Sequence, residues 1–494
     1  MKAAPDASLV LVFDVGTSSL RTALFTSAGE RLLETTAQAA YPLHTTADSG
    51  AEASPSILKS TAEDCLRKTL GVYGHTASLR DAPIVAVGGG CFWHSLLGVD
   101  EKNKPLTPII TWADARCRGD AAQLRQEMSE REVHERTGCM LRTSFWPAKL
   151  LWLRRTQSAL FERVHLWMSP AEWLWREFAG EGATCGLSMA SGTGLLNAHT
   201  LEWDETMLAR CAVAPEKLLP LSDEPQLASQ ICLDDFPELR GVPWFPALGD
   251  GAASNLGCGA TKPEVVAINV GTSAAVRTVR ESGPASVPFG LFCYRVDAKR
   301  QLIGGASSNA GNLRAWCLRE LRLPDDPVLI EEALARRQTP EHGLTVLSSW
   351  TAERAPDWAE VPCGVIHGIT HHTTAFDLLQ AIIEASYFRI AKIADMIFSQ
   401  HTARPQLIIS GGIQRSRSSL QRLADVLNQP LYPNDEPEAT LKGAAVYVLE
   451  KLGVSVPQVP LTQIVRPNPS AAGPYAAARQ RQQKLAEHFE AWPI

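Results

Sequence analysis

"LVFDVGTSSLRTALF" runs from Leu11 to Phe25, and "EVVAINVGTSAAVRTVRE" runs over 264–281. In each, an apolar run ends on a polar residue, Asp14 in the first and Asn269 in the second. The same four letters follow, Val-Gly-Thr-Ser, and then a second apolar stretch. The pattern predicts two antiparallel strands joined tightly at Gly16, with Gly29 turning the chain again. One such turn taken alone reads better as a plain hairpin. Its recurrence once, far along the chain, fits no solenoid and points instead to two related halves facing each other. Glycine lets a ligand approach the backbone closely, and successive turn amides and hydroxyls can donate to phosphate oxygens. An aspartate at the strand end can hold magnesium, usually through water. Two such hairpins fit a nucleotide clamped between two α/β domains. The boundary is expected near Gly259–Lys262, giving domains over 1–260 and 261–453 and a tail over 454–494 with a terminal helix.

The 494 residues are 45% hydrophobic and 20% charged, with a net charge of -6. That composition supports a large packed core and argues against a broad nucleic-acid surface. No stretch has the length of a membrane span, and "MKAAPDASLVLVFDVG" lacks a signal-peptide pattern. The 11 cysteines are scattered without CxxC spacing, as expected of reduced structural thiols in a cytoplasmic protein. His371-His372 reads as a helix-entry or surface pair rather than a metal site.

Outside the hairpins, a helix is expected over Pro55–Leu70, with Ile57, Leu58, Ala62 and Leu66 on one side. "APIVAVGGG" (82–90) reads as a buried strand, and "CFWHSLLGVD" as another. "PAKLLWLRR" (147–155), the stretch over 373–398 and "EATLKGAAVYVLEKLG" (438–453) read as helices. "PALGDGAASNLGCGA" (246–260) sets Asp250 at a strand–helix junction. A carboxylate there can accept a proton from an alcohol or cap the helix. "IISGGIQRS" (409–416) ends a buried strand in Gly411-Gly412, either a plain turn or a place for a flat ring such as adenine. "FWHS" (92–95), "TWADAR" (111–116) and "SFWPAKLLW" (144–152) gather aromatic and polar side chains suited to a polyol. There is no Walker A sequence and no dinucleotide fingerprint.

Taken together these residues resemble the FGGY family of carbohydrate kinases, within the actin/Hsp70/sugar-kinase superfamily, from about Leu9 to Gly453. The most specific match is "GVIHGITHHTTAFDLLQAIIE" (364–384), through Gly364, Gly368, Asp377, Ala381 and Glu384. A second signature is matched by Lys149, Leu150, Trp152 and Leu153, with a departure at Trp146, where a small residue or proline is usual. "FWHSLLGVD" and "PLTPIITWADARC" look most like gluconate kinases, with xylulose kinases next. Glycerol kinases carry an Arg-Glu pair where this chain has Trp93-His94.

The resemblance implies two related actin-like, ribonuclease-H-like ATPase domains with a cleft between them. It implies ATP and magnesium as cofactors and a small sugar or sugar acid as substrate, with no nucleic-acid or membrane partner; a homodimer is compatible with it. Asp250 would be the general base and Asp14 would organise magnesium. Thr17 and Ser18 would meet the terminal phosphate from one side, Gly271 and Thr272 from the other, and Gly411 and Gly412 would border the adenine. Trp93, His94, Trp112 and Asp114 would line the sugar site. For a substrate carboxylate, Lys149, Arg142, Arg116 and His94 are candidate cations. The expected reaction is phosphorylation of a terminal hydroxyl of D-gluconate, giving 6-phosphogluconate, with a xylulose or other ketose kinase as the alternative. The non-enzyme reading is an actin-like or Hsp70-like nucleotide switch, which needs neither a base at Asp250 nor an aromatic polyol cleft.

Overall fold

Two sheets built on one plan carry the repeat. The computed structural model describes residues 8–227, 234–283, 286–457 and 460–490; the extreme N-terminus read for a leader, and Cys232, lie outside them. The first sheet contains β1 (Leu9–Val15), β2 (Ser19–Thr26), β3 (Ala37–Ala40), β4 (Ile84–Cys91), β5 (Gln226–Leu227), β6 (Pro243–Trp244) and β7 (Leu248–Gly249). The second contains β8 (Val265–Val270), β9 (Ala274–Glu281), β10 (Phe292–Arg295), β11 (Arg300–Ser307), β12 (Gln406–Ser410) and β13 (Leu431–Pro433). In the first, the order β3-β2-β1-β4-β6 runs through two antiparallel and then two parallel pairings. In the second, β11-β9-β8-β12-β13 repeats that order and those directions. The repeated letters thus mark a repeated topology, and the α/β class with two related domains holds.

Helices cover the sheets: α1 (Pro55–His75), α2 (Trp146–Thr156), α3 (Pro170–Ala179), α4 (Asp250–Gly257), α5 (Gly311–Glu320), α6 (Ala375–Phe398), α7 (Arg417–Leu427), α8 (Ala439–Lys451) and α9 (Ala472–Glu490). On α1 the buried stripe holds Leu58, Ala62 and Leu66, but Ile57 is 40% exposed. It sits about 100° around the helix from Leu58 and falls off the apolar face. The expected strand over "CFWHSLLGVD" shrinks to Leu97–Val99, because His94 takes a left-handed φ of 66° and breaks the extension after Cys91. The described cysteines are all unpaired, and all but Cys363 are buried.

The first core joins β1, β2 and β4 to Trp175 and Trp244, and the second wraps β8, β9 and β12 around α6. One helix crosses between them in sequence. α8 lies late in the chain, yet Leu441, Ala444, Ala445 and Val448 pack into the first core. It does so through close contact with α4: a Cβ on Gly257 would come 1.9 Å from the Ala439 carbonyl oxygen, and one on Gly443 would come 1.7 Å from that of Ala253. Only glycine fits either place. No helix among the described residues is long and apolar enough to cross a membrane.

Candidate active site

The parallel strands of the first sheet deliver their chemistry at one end. β1 ends beside Asp14, β4 leads into Trp93 and His94, and β7, paired with the end of β4 through Gly249 and Cys91, leads directly into Asp250. The carboxyl edge of parallel strands is where open α/β sheets bind ligands. A cavity of about 350 Å³ opens there, lined from the first half by Thr17, Trp93, His94, Trp112 and Asp250. Asn269, Ser273, Ala275, Arg277, Tyr294 and Arg354 line it from the second half.

Asp250 is the first residue of α4, whose N-cap is Gly249, so its side chain does not cap the helix. One oxygen accepts from the Gly251 amide at 2.8 Å. Burial raises its pKa, and the Arg277 cation pulls it back down. A partly desolvated carboxylate with a raised pKa is what a general base requires. Asp14 lies 6% exposed at the end of β1. Burial pushes it up to about 6, with Arg21 lowering it and Asp250 raising it. Arg21, directly across the hairpin, donates to Asp14 at 3.1 Å and pairs with Glu438 ahead of α8 at 3.4 Å.

Trp93 packs over a floor of glycines. A Cβ on Gly249, Gly192 or Gly251 would come 1.7, 2.4 or 2.7 Å from its ring. Its indole N–H donates to the Ser188 carbonyl at 2.9 Å. His94 meets the Gly192 carbonyl through Nδ1 at 2.5 Å. A carbonyl only accepts, so Nδ1 carries the proton and Nε2 is left as an acceptor. Burial drops the His94 pKa to about 3, which keeps the ring neutral. Trp112 donates from its indole to the Thr17 hydroxyl at 3.0 Å, tying the aromatic wall to the first polar turn.

Asp114 does not join this group. It is 1% exposed, accepts from the Ala51 amide at 2.9 Å and pairs with Arg116 at 2.6 Å. Its charge and hydrogen-bonding capacity are spent on holding the segment around Ala51, so it is a structural residue rather than part of the cavity wall. The cations expected for a carboxylate are engaged elsewhere. Arg116 also pairs with Glu52, Arg142 pairs with Glu130, and Lys149 donates to the His94 and Ser144 carbonyls at 2.7 and 2.5 Å. Trp146 is buried, donates to the Ser95 carbonyl at 3.2 Å and packs into a hydrophobic cluster with Leu96 and Ile110.

Of the remaining expected residues, Ser18 and Thr272 are exposed at the tips of the two turns, and Gly271 closes the second turn by donating to the Ser273 carbonyl at 2.9 Å. Gly411, at φ 91°, lies against the end of β8, where a Cβ would come 2.6 Å from the Val270 carbonyl oxygen; Gly412 follows alongside. The double glycine is thus backed onto the second hairpin. The residues missed from sequence are Arg277, Arg354 and Tyr294. Arg277 did leave a signal, as a cation in the apolar alternation of "AAVRTV".

The family signature serves a different purpose. Glu384, 1% exposed, accepts from Arg422, Gln380, the Tyr475 hydroxyl of α9 and His342. That cluster ties α9 and α7 to α6 away from the cavity. Asp377 closes a capping box with Thr374 at the start of α6.

Comparison with known proteins agrees with this arrangement. The N-terminal domain model of the FGGY family of carbohydrate kinases matches residues 9–257, and its C-terminal domain model matches residues 266–449. A gluconokinase of Bacillus subtilis is 27% identical over 90% of this chain and 88% of its own length. A xylulose kinase of Streptomyces coelicolor is 28% identical with the same coverages. The fold matches the crystal structure of gluconate kinase from Lactobacillus acidophilus with a TM-score of 0.89 at 23% identity, over 98% of this chain and 99% of that one. Two repeated sheets, a cavity at their facing ends and matches to both domain models lead to one conclusion: the chain belongs to the FGGY family of carbohydrate kinases, phosphotransferases that use ATP and act on sugar hydroxyls.

Proposed function

We propose that this kinase phosphorylates the terminal hydroxyl of a sugar acid, converting D-gluconate to 6-phosphogluconate. The observation that carries the reading is the position of Asp250, at the mouth of the strand edge and in the same cavity as the polyol-suited wall of Trp93, His94 and Trp112. The gluconokinases among its relatives support the choice of acceptor.

In this reading the hydroxyl to be phosphorylated lies against Asp250, which takes its proton as the oxygen attacks the terminal phosphoryl group, and ADP leaves. His94 accepts a substrate hydroxyl at Nε2, and the Trp93 ring provides an apolar face. The turns at Gly16–Ser18 and Gly271–Ser273 offer amides and hydroxyls to the phosphates from two sides. Phosphoryl transfer draws most of its rate from positioning and charge neutralisation. Magnesium, when bound, supplies part of that neutralisation. The residues fit it: burial first, and the Asp250 carboxylate besides, raise the pKa of Asp14, an excess of negative charge that a cation relieves. Among the described residues no cluster of three or more metal-binding side chains forms a cage. Magnesium commonly binds through one or two carboxylates plus substrate phosphates. Asp14 would hold it.

The test is a coupled ADP-release assay over gluconate, xylulose, ribulose, glycerol and fuculose. Gluconate is expected to give the highest kcat/KM. The similarly related xylulose kinases make a xylulose preference the competing outcome. Stimulation by none of the five would favour a nucleotide switch instead.

A further inference from the structure

The second half contributes two arginines to the cavity wall, and neither guanidinium has a carboxylate partner there that satisfies it. Arg277 sits on β9, two residues beyond Ala275, so both face the cavity. Its side chain passes between two glycines. A Cβ on Gly304 would come 2.9 Å from its Cγ, and one on Gly251 would come 3.0 Å from its Cζ. Its Nε is buried without a hydrogen-bond partner. Arg354 lies over the Trp112 ring, 5.5 Å from the centroid. Its Nη2 makes a long bond, 3.3 Å, to the Ser307 carbonyl, and its Nε is also buried without a partner.

Arg354 is also preset. The buried Glu353 carboxylate accepts from the Arg354 amide at 2.9 Å and from Asn309 at 2.9 Å, and pairs with Arg389 at 3.2 Å. Arg389 in turn donates to the Arg354 carbonyl at 3.0 Å. A buried guanidinium with an idle donor is costly unless an anion completes it. Burial lowers the pKa of both arginines, and the nearby carboxylates, Asp250 for Arg277 and chiefly Glu353 for Arg354, offset only part of that.

We propose that Arg277 and Arg354 form the receptor for the carboxylate of the acceptor substrate, making the enzyme selective for sugar acids over neutral polyols. This rests on the sugar-acid reading above and assigns it to residues of the second half. The planar fork of arginine suits a carboxylate. Drawing the receptor from the second half and the base from the first makes a productive complex depend on the two halves meeting around the substrate.

The test compares Arg354→Met and Arg277→Met with the wild type on D-gluconate and on glucitol, which has the same hydroxyl pattern but no carboxylate. In Arg354→Met the KM for gluconate is expected to rise about 30- to 100-fold, with kcat/KM for glucitol changing less than about threefold. Unchanged ATP affinity serves as the folding control, and Arg354→Lys should recover part of the gluconate KM. Arg277→Met should lose gluconate selectivity as well, and should move the acid limb of the pH profile upward through Asp250. If the variants keep the wild-type KM for gluconate, the receptor is overturned. An equal fall in kcat on both acceptors with KM retained also overturns it, and assigns the pair to the transferring phosphoryl group. A wild type that phosphorylates neutral ketoses and no sugar acid overturns the sugar-acid reading itself, and the receptor with it.

Discussion

The two Val-Gly-Thr-Ser hairpins share their letters and their place in the sheet, but not their chemistry. In the first, Asp14 faces Arg21 across the strands and the pair is joined. In the second, the equivalent position holds Asn269, whose amide donates to the Ser410 hydroxyl at 3.0 Å, and the residue opposite is Ala275. The turns differ too. Val15 pairs with Leu20, whereas Val270 pairs with Ala274, so the second turn is one residue shorter. Losing an arginine opposite the strand end clears space for the cavity, and a cation reappears two residues on, as Arg277, beside Asp250. The duplicated turn has thus divided its labour: the first copy keeps the acidic charge, and the second presents a cationic wall.

The largest expected effect comes from Asp250, the proposed base. Asp250→Ala should lower gluconate phosphorylation by about 10³- to 10⁴-fold, with ADP affinity unchanged by calorimetry; turnover near wild type would remove Asp250 from the mechanism. Asp14→Asn, which makes the first hairpin resemble the second, should lower kcat by about 10²-fold. It should also alter stability without nucleotide. Because Asp14 is held at about 6, the folded protein binds its proton more tightly than the unfolded chain does. Stability should therefore fall as pH rises from the ordinary carboxylate range to about 6, and denaturant titrations of Asp14→Asn should show that slope reduced. Gly411→Ala strains a left-handed position pressed on Val270 and should cost about 1–3 kcal/mol, with nucleotide affinity suffering alongside. The smallest effect distinguishes the turns. Gly16→Ala places a Cβ 3.0 Å from the Ser19 carbonyl oxygen, whereas on Gly271 the nearest contact is 4.0 Å away. Thermal melts should show a loss of about 1 kcal/mol for the first and almost none for the second.

Residues at strand ends were legible because the alternation and the turn letters locate them: Thr17, Trp93, His94 and Asp250 all line the cavity, and Asp14 ends the strand beside them. Asp114 turns away from the cavity because the Ala51 amide it accepts from, and the Glu52 that shares its Arg116 partner, come from a distant segment that no local spacing announces. Arg354 was invisible for the converse reason. It lies in a loop without a motif, and it reaches the cavity only because the buried Glu353 and Arg389 hold that loop in place. The packing of α8 into the first core was also hidden, since it depends on contact between Gly257 and Gly443 rather than on the amphipathic pattern of the helix.

The division of labour is tested most directly by a magnesium titration of ADP release, at saturating ATP and gluconate, in Asn269→Asp and Asp14→Asn side by side. The midpoint for Asn269→Asp is predicted to stay within about twofold of wild type, while that for Asp14→Asn rises by more than about tenfold. Equal shifts in the two variants, or a shift in Asn269→Asp alone, would contradict it.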